Sequence, residues 1–279
     1  TLTERMRKAI RAVRRLGCMP INQHTKELIV RCNILPAALY GCEAAYICKC
    51  TLEKLRGAIA TAIGPKSSRR SVDATFAFTC GAKDLDPSTH ILYNAISNIR
   101  RIMVKRPESI PIIQLSIMLN LSTPLEHKHS HGPIAALIDH VRDCGGTIGA
   151  DLIIRVPNET DIDIWNMPWQ HLKKAVFDLA GRSRAKHFNM TRTYQGDIDE
   201  FDQTIICSIM NSFGDHEARV LRYIATGAFW DEAHKACINT SDGTCPHCMK
   251  RDIDSEHIHW NCPCINAHRN IKHVANIDP

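Results

Sequence analysis

The chain has 279 residues, 44% apolar and 23% charged, with a net charge of +6 at pH 7. That usage is ordinary for a globular protein and excludes a disordered or collagen-like chain, and no run of about 18 apolar residues exists to cross a membrane as a helix. The charge is unevenly divided: residues 1–110 hold 19 Lys and Arg against 8 Asp and Glu, and residues 111–279 hold 16 against 21. A basic half beside an acidic one points to an anionic partner for the first part, nucleic acid before a membrane surface. Solvated basic helix faces give the same count, so charge alone leaves that alternative open. The first residues, Thr1 to Lys8, carry neither an initiator Met nor the apolar stretch of a signal peptide. They read as a helix entered partway through a longer protein. Of the 13 cysteines, nine (Cys18, Cys32, Cys42, Cys48, Cys50, Cys80, Cys144, Cys207 and Cys237) are scattered singly or in apolar stretches. There free Cys acts as a small hydrophobe, and a reducing intracellular compartment is expected.

In chain order, residues 1–17 predict a strongly basic amphipathic helix. Thr1 and Glu4 fit a capping box, Met6, Ile10, Val13 and Leu16 form one apolar stripe, and Gly17 supplies the stop. Arg5, Arg7, Lys8, Arg11, Arg14 and Arg15 cover much of the remainder. A second helix is predicted over about 25–46, with Leu28, Ile29, Cys32, Leu35, Leu39 and Cys42 inward and Pro36 kinking or dividing it. A third, over about 51–63, ends at Gly64-Pro65. The loop that follows, Lys66-Ser67-Ser68-Arg69-Arg70-Ser71, offers hydroxyls and guanidinium groups to phosphate oxygens.

Asp86-Pro87 opens the next helix as cap and first-turn proline, with Ile91, Leu92, Ala95, Ile96, Ile99, Ile102 and Met103 predicted as its buried face. Arg100, Arg101, Lys105 and Arg106 load its C-terminal end, where cations also suit the helix dipole. Residues 107–132, with Pro107, Pro111, Pro124 and the alternating His127, His129 and His131, read as a linker. A helix over about 133–144 follows. Leu152 to Val156 is a strand-like run, an isolated strand or half of a small hairpin. Helices over about 168–185, 199–212 and 215–236 complete a mainly α chain.

The last 35 residues hold the strongest chemical signal. Cys245, Cys248, His257 and Cys262 give C-x2-C-x8-H-x4-C, and a two-residue gap lets one tight turn aim both thiolates at one ion. Four protein ligands leave no open coordination position, so a zinc ion here is predicted to be structural, and the segment should depend on it to fold. His259 can stand in for His257 and Cys264 for Cys262 on spacing alone. Three Asp-Ile-Asp pairs, at Asp161/Asp163, Asp197/Asp199 and Asp252/Asp254, lie in turn-like contexts rather than in an apolar hairpin. They read as turn and cap residues, and no catalytic motif is recognised.

Two stretches carry a family resemblance. Ile34-Leu35-Pro36-Ala37-Ala38-Leu39-Tyr40-Gly41-Cys42-Glu43, after the basic first helix, resembles the segment just beyond the palm of non-LTR retrotransposon reverse transcriptases. Ala225-Thr226-Gly227-Ala228-Phe229-Trp230, followed by the Cys/His motif with Glu256-His257 and Cys262-Pro263, resembles the C-terminal zinc-binding region of the same proteins. The likeness is clear over residues 1–64 and 220–268 and loose between them. It implies a basic helical thumb-like domain at 1–106, a linker at 107–132, a helical connector at 133–236 and a CCHC zinc module at 237–279. It also favours His257 over His259.

The family's palm, with its Tyr/Phe-x-Asp-Asp turn, would precede Thr1, so no polymerase aspartate is carried over and no catalytic residue is assigned. The parent protein would be an RNA-directed DNA polymerase, acting inside the cell and in the nucleus. This chain would hold an RNA–DNA hybrid, RNA or DNA through Arg7, Lys8, Arg11, Arg14 and Arg15, through Lys66, Arg69 and Arg70, and through Lys250 and Arg251. Arg269, Lys272 and Trp260 are further candidates, Trp260 either stacking on a base or packing beneath the knuckle. The alternative is a stand-alone zinc-containing adaptor whose basic helix and knuckle bind protein.

Overall fold

The computed structural model describes residues 1–44, 47–78, 85–122, 132–191, 201–229, 232–238, 240–251, 253 and 257–268. Thr1 caps α1 (Leu2–Cys18), its hydroxyl accepting from the Glu4 N–H at 3.4 Å. The stripe Met6, Ile10, Val13 and Leu16 is buried with Leu2 and Ala9 against α4 (Lys49–Ile63), whose Leu55 and Ile59 are fully enclosed. The helix runs through Gly17 instead of stopping there. Gly17 lies beside α4, where an added Cβ would meet the Ala62 Cα at 3.5 Å, an ordinary contact.

The predicted helix over 25–46 is divided at its proline. α2 (Gln23–Ile29) passes into a π-helical turn (Val30–Ile34) and then α3 (Leu35–Leu39). Pro36 lacks an N–H, and in a regular helix its ring would strike the carbonyl four residues back. The wide turn, closed by the Leu35 N–H on the Val30 carbonyl, opens the backbone at that point. The change of pitch also rotates the buried face. Leu35, Leu39 and Cys42 are buried as predicted, joined by Val30 and Ala38, whereas Leu28 is 49% exposed and Cys32 is also exposed.

α4 ends at Gly64, where a Cβ would stand 2.4 Å from Thr75 Cγ2 and 2.8 Å from the Ala60 carbonyl oxygen. Glycine there admits α5 (Val72–Phe78), a helix that the sequence pattern did not suggest and that buries Phe76 completely. Asp86 caps α6 (Pro87–Lys105) by accepting from the Ser88 N–H at 3.0 Å. The predicted face of α6 is buried except for Ile102, which is 47% exposed. α6 spans two apolar clusters: Ile91 belongs to the first, with α1 to α5, and Leu92 onward to the second.

Part of the predicted linker is helical. α7 (Ile110–Ser122) packs Ile113 and Ile117 inward beside α8 (Pro133–Asp143). Pro107 and Pro111 sit in first turns, where the missing N–H is no loss, so they start structure here. The three histidines at 127, 129 and 131 lie outside the described residues. The strand run pairs as a three-stranded antiparallel sheet of β1 (Thr147–Ile148), β2 (Ile153–Arg155) and β3 (Ile162–Asp163). Ile148, Ile154 and Ile162 form one buried row across it in the second cluster.

α9 (Trp169–Thr191) runs beyond the predicted end at 185 and reaches back to α5 and α6. α10 (Gln203–Ser212) is followed by α11 (Asp215–Ala225) and α12 (Glu232–Cys237), which replace the single helix predicted over 215–236. The interruption has a cause in the fold: the Thr226 carbonyl accepts from the Ser71 N–H at 2.7 Å, and Gly227 turns with φ +65°. The architecture is mainly α. No described helix is long and apolar enough to cross a membrane.

Where the two clusters meet, four charged side chains are buried together. The Arg56 guanidinium donates to Asp73 at 2.7 Å and to Asp86 at 3.0 and 3.2 Å. Arg184 Nη1 donates to Asp86 at 3.2 Å and to Thr89 Oγ1 at 2.8 Å. Burial by itself would raise the Asp86 pKa, but Arg56 and Arg184 hold it below the usual carboxylate value. Asp73 also meets His187 Nδ1 at 2.6 Å.

Candidate metal centre and cationic groove

The C-terminal cluster is built by one tight turn and one wide one. Cys245 and Cys248 flank Pro246-His247, and the turn is closed by the Cys245 N–H on the Lys250 carbonyl at 2.8 Å and the Met249 N–H on the Cys245 carbonyl at 2.9 Å. Met249 takes φ +60° to reverse the chain. His257 opens a π-helical turn (His257–Asn261), and Cys262 follows it directly, ahead of α13 (Pro263–His268). The sulfurs of Cys245, Cys248 and Cys262 and one ring nitrogen of His257 all lie within 4.8 Å of one another.

This set fits a metal ion. Sulfurs held 2.3 Å from a tetrahedral centre are separated by about 3.8 Å, and Cys245 Sγ lies 3.8 Å from Cys262 Sγ. Cys248 Sγ and His257 Nε2 are 3.2 Å apart. Cys245, Cys262 and His257 are buried and Cys248 is half-buried, so the four donors face inward, away from bulk water. Burial alone would push the Cys245 thiol up, but the backbone N–H groups of Cys248 and His247 bring it down to about 6. Those N–H groups favour the thiolate form of Cys245. Among the described residues, the cluster brings together Cys245, Cys248, His257 and Cys262, the set that the resemblance implies. Cys264 and His247 are exposed and outside the cluster, and the side chain of His259 lies outside the described residues.

The basic residues fall into distinct groups. Arg7, Lys8, Arg11, Arg14 and Arg15 are all exposed on α1. Arg7, Arg11 and Arg14 join Thr51 and Lys54 of α4 along a groove of about 470 Å³. Glu4 is the acid near it, 3.9 Å from Arg7 and 3.7 Å from Arg11, and such exposed pairs hold cations weakly. The groove also runs past Cys48 and Cys50 at the start of α4, a turn without acidic residues or a side-chain cap. The cations of α1 and the first turn of α4 therefore line the same depression.

In the loop at 66–71, Lys66 is exposed but Arg70 turns inward. Its guanidinium donates to the Ser67 carbonyl at 2.7 Å and the Gly57 carbonyl at 3.2 Å, so it ties the loop to α4. Arg69 is half-buried and engaged. Lys250 and Arg251 are exposed on the knuckle. Arg269, Lys272 and the side chain of Trp260 lie outside the described residues. Of the Asp-Ile-Asp pairs, Asp163 caps a turn by accepting from the N–H groups of Trp165 and Asn166 at 2.9 and 2.8 Å, and Asp197, Asp199, Asp252 and Asp254 lie outside the described residues.

No family model matches this chain, and no curated protein and no solved structure matches it. Sequence reasoning missed the contribution of Thr51 and Lys54 to the groove, because the pairing of α1 with α4 is a tertiary fact. It also missed the buried Arg56–Asp86–Arg184 set. The one signal for it was Arg56, which interrupts an otherwise apolar face of α4.

Proposed function

We propose that this chain is the nucleic-acid-binding portion of a non-LTR retroelement reverse transcriptase. It holds a template–primer hybrid or target nucleic acid in support of RNA-templated DNA synthesis and performs no catalysis itself. The observation that carries the reading is the groove in which Arg7, Arg11 and Arg14 of one helix meet Lys54 of another. A row of cations on rigid helices suits a phosphate backbone gripped without regard to base sequence. The resemblance of residues 34–43 and of the Cys/His region supports the reverse transcriptase assignment over other nucleic-acid binders. The ion at Cys245, Cys248, His257 and Cys262 is zinc in this reading: three thiolates and one imidazole suit it, and four protein donors make the site structural.

The test is binding of the zinc-loaded chain to an RNA–DNA hybrid over a salt series. Affinity should fall steeply with salt, and Arg11→Gln with Arg14→Gln should flatten the log–log slope by about 1 per cation removed. Absence of binding at low salt by the folded, metal-loaded chain overturns the reading. A second reading, a zinc-containing protein-interaction adaptor, is favoured by α7, where Ile112, Leu115, Met118 and Leu119 are each more than half exposed. Binding of a protein through that face would change little with salt, which separates the two.

A further inference from the structure

A cavity of about 710 Å³ lies between α4, α6, α8 and α9, with the buried Arg56, Asp86 and Arg184 in its wall. That volume is in the range of small-molecule sites. We infer that this cavity binds a small organic anion with an aliphatic body, its head held by Arg184 and Lys186. The inference is independent of the nucleic-acid reading above.

The chemistry of the occupant follows from what the wall has left over. Its apolar surface is supplied by residues such as Ile47, Leu52, Leu92, Ala136 and Met190, and the rings among its described lining are the imidazoles of His140 and His187. An alkyl chain would be enclosed by matching groups there. All five carboxylates of the described lining are already paired. Arg56 meets Glu53, Asp73 and Asp86, Lys49 meets Asp143 at 2.9 Å, and Arg142 meets Asp139 at 3.3 Å. A cationic ligand would have to displace one of them.

Unengaged donors remain on the other side of the balance. Arg184 is 7% exposed and makes its hydrogen bonds through Nη1 alone, while its buried Nε has no partner. Nη2 makes no hydrogen bond and is not among the fully enclosed atoms, so it is the guanidinium donor left to meet an oxygen of a carboxylate or phosphate. Lys186, which also lines the cavity, is in no ion pair among the described residues.

The experiment is titration of the full chain with octanoate, octyl phosphate and octylammonium below their micelle concentrations, followed by ligand-observed NMR and thermal denaturation. The anions should bind saturably, with the better of the two at least about tenfold tighter than octylammonium, and butyrate should bind more weakly than octanoate. Whichever octyl anion binds tighter identifies the head as carboxylate or phosphate. Ala136→Phe, which fills the cavity without touching the ion pairs, should abolish binding. Lys186→Gln, an exposed position that leaves folding intact, should weaken it severalfold and decides the matter if Ala136→Phe fails to fold. Equal binding of octylammonium, no saturable binding of either anion, or binding unchanged in both variants overturns the proposal.

Discussion

The helical body and the C-terminal knuckle are held together by different means. The body buries two apolar clusters, one from α1 through the start of α6 and one from α6 through α9, joined by a buried set of ion pairs. Among the described residues, the apolar core of the knuckle consists of Cys245, Ile253 and Cys262, and two of these belong to the Cys/His cluster that could hold a metal ion. A core of that size does not offset chain entropy by apolar burial, and an ion held by the four donors would do what packing does elsewhere. The difference sets a region whose fold follows from its apolar pattern beside one that brings four candidate donor atoms together over almost no core.

The sharpest way to break this contrast is to remove the metal. Chelation, or Cys262→Ser, should unfold the knuckle around residues 243–265 while leaving the melting of the body in place, read by amide signals and hydrogen exchange. The effect is the largest expected, because structural zinc contributes on the order of 10 kcal/mol to small modules. Metal analysis should find one ion per chain at this cluster. A knuckle that stays ordered under chelation would remove the distinction between the two regions.

The next effect belongs to the body alone. Arg56→Met leaves Asp73 and Asp86 buried without their main cation and should cost about 3–5 kcal/mol in urea unfolding, with the metal content unchanged. Acid should act on the same group. Asp86 has a folded pKa below its unfolded value, so its contribution is present above the ordinary carboxylate range and is lost as pH falls through the lowered value. Asp86→Asn should flatten the acid side of the stability profile, measured as urea midpoints between pH 7 and pH 3.

Two glycines sharpen the account of packing within the body. Gly64→Ala should destabilise by about 1–3 kcal/mol, since its Cβ would collide with Thr75 and the Ala60 carbonyl. Gly17→Ala meets only an ordinary contact with Ala62 inside α1 and should be neutral or stabilising by about 0.5–1 kcal/mol. Thermal melts of the two variants should move in opposite directions or differ by several degrees.

The smallest effect concerns His140. Burial lowers its pKa, so the folded body disfavours the protonated ring and loses stability as pH falls below the ordinary histidine value of 6.5. His140→Gln should shrink that loss between pH 7 and pH 5 while leaving stability at pH 8 nearly the same.

Legibility differed in the same way along the chain. α1 could be read almost to the residue, because Thr1, Glu4 and a clean apolar stripe all make the same local statement. The metal cluster was legible for a different reason: ligand spacing constrains which side chains reach one point, however little core surrounds them. α7 lies in a stretch that reads as a linker from its Pro107, Pro111 and Pro124, whereas Pro107 and Pro111 both occupy first turns. The inward face of residues 25–46 was misplaced at Leu28 and Cys32 because a π-turn beside Pro36 changes the pitch on which the pattern depends. The division of 215–236 depended on a hydrogen bond from Ser71, more than 150 residues away in sequence.

By itself the sequence determined the helical class, the capped starts of α1 and α6, and a Cys/His motif with His257 or His259 and Cys262 or Cys264 as its later donors, since each depends on residues close together in the chain. Only the tertiary structure decided which cations share a groove, which charges are buried and paired, and that a cavity opens between the two clusters. Those properties arise where α1 meets α4 and where α4, α6, α8 and α9 converge, and no local periodicity encodes which helix faces come together.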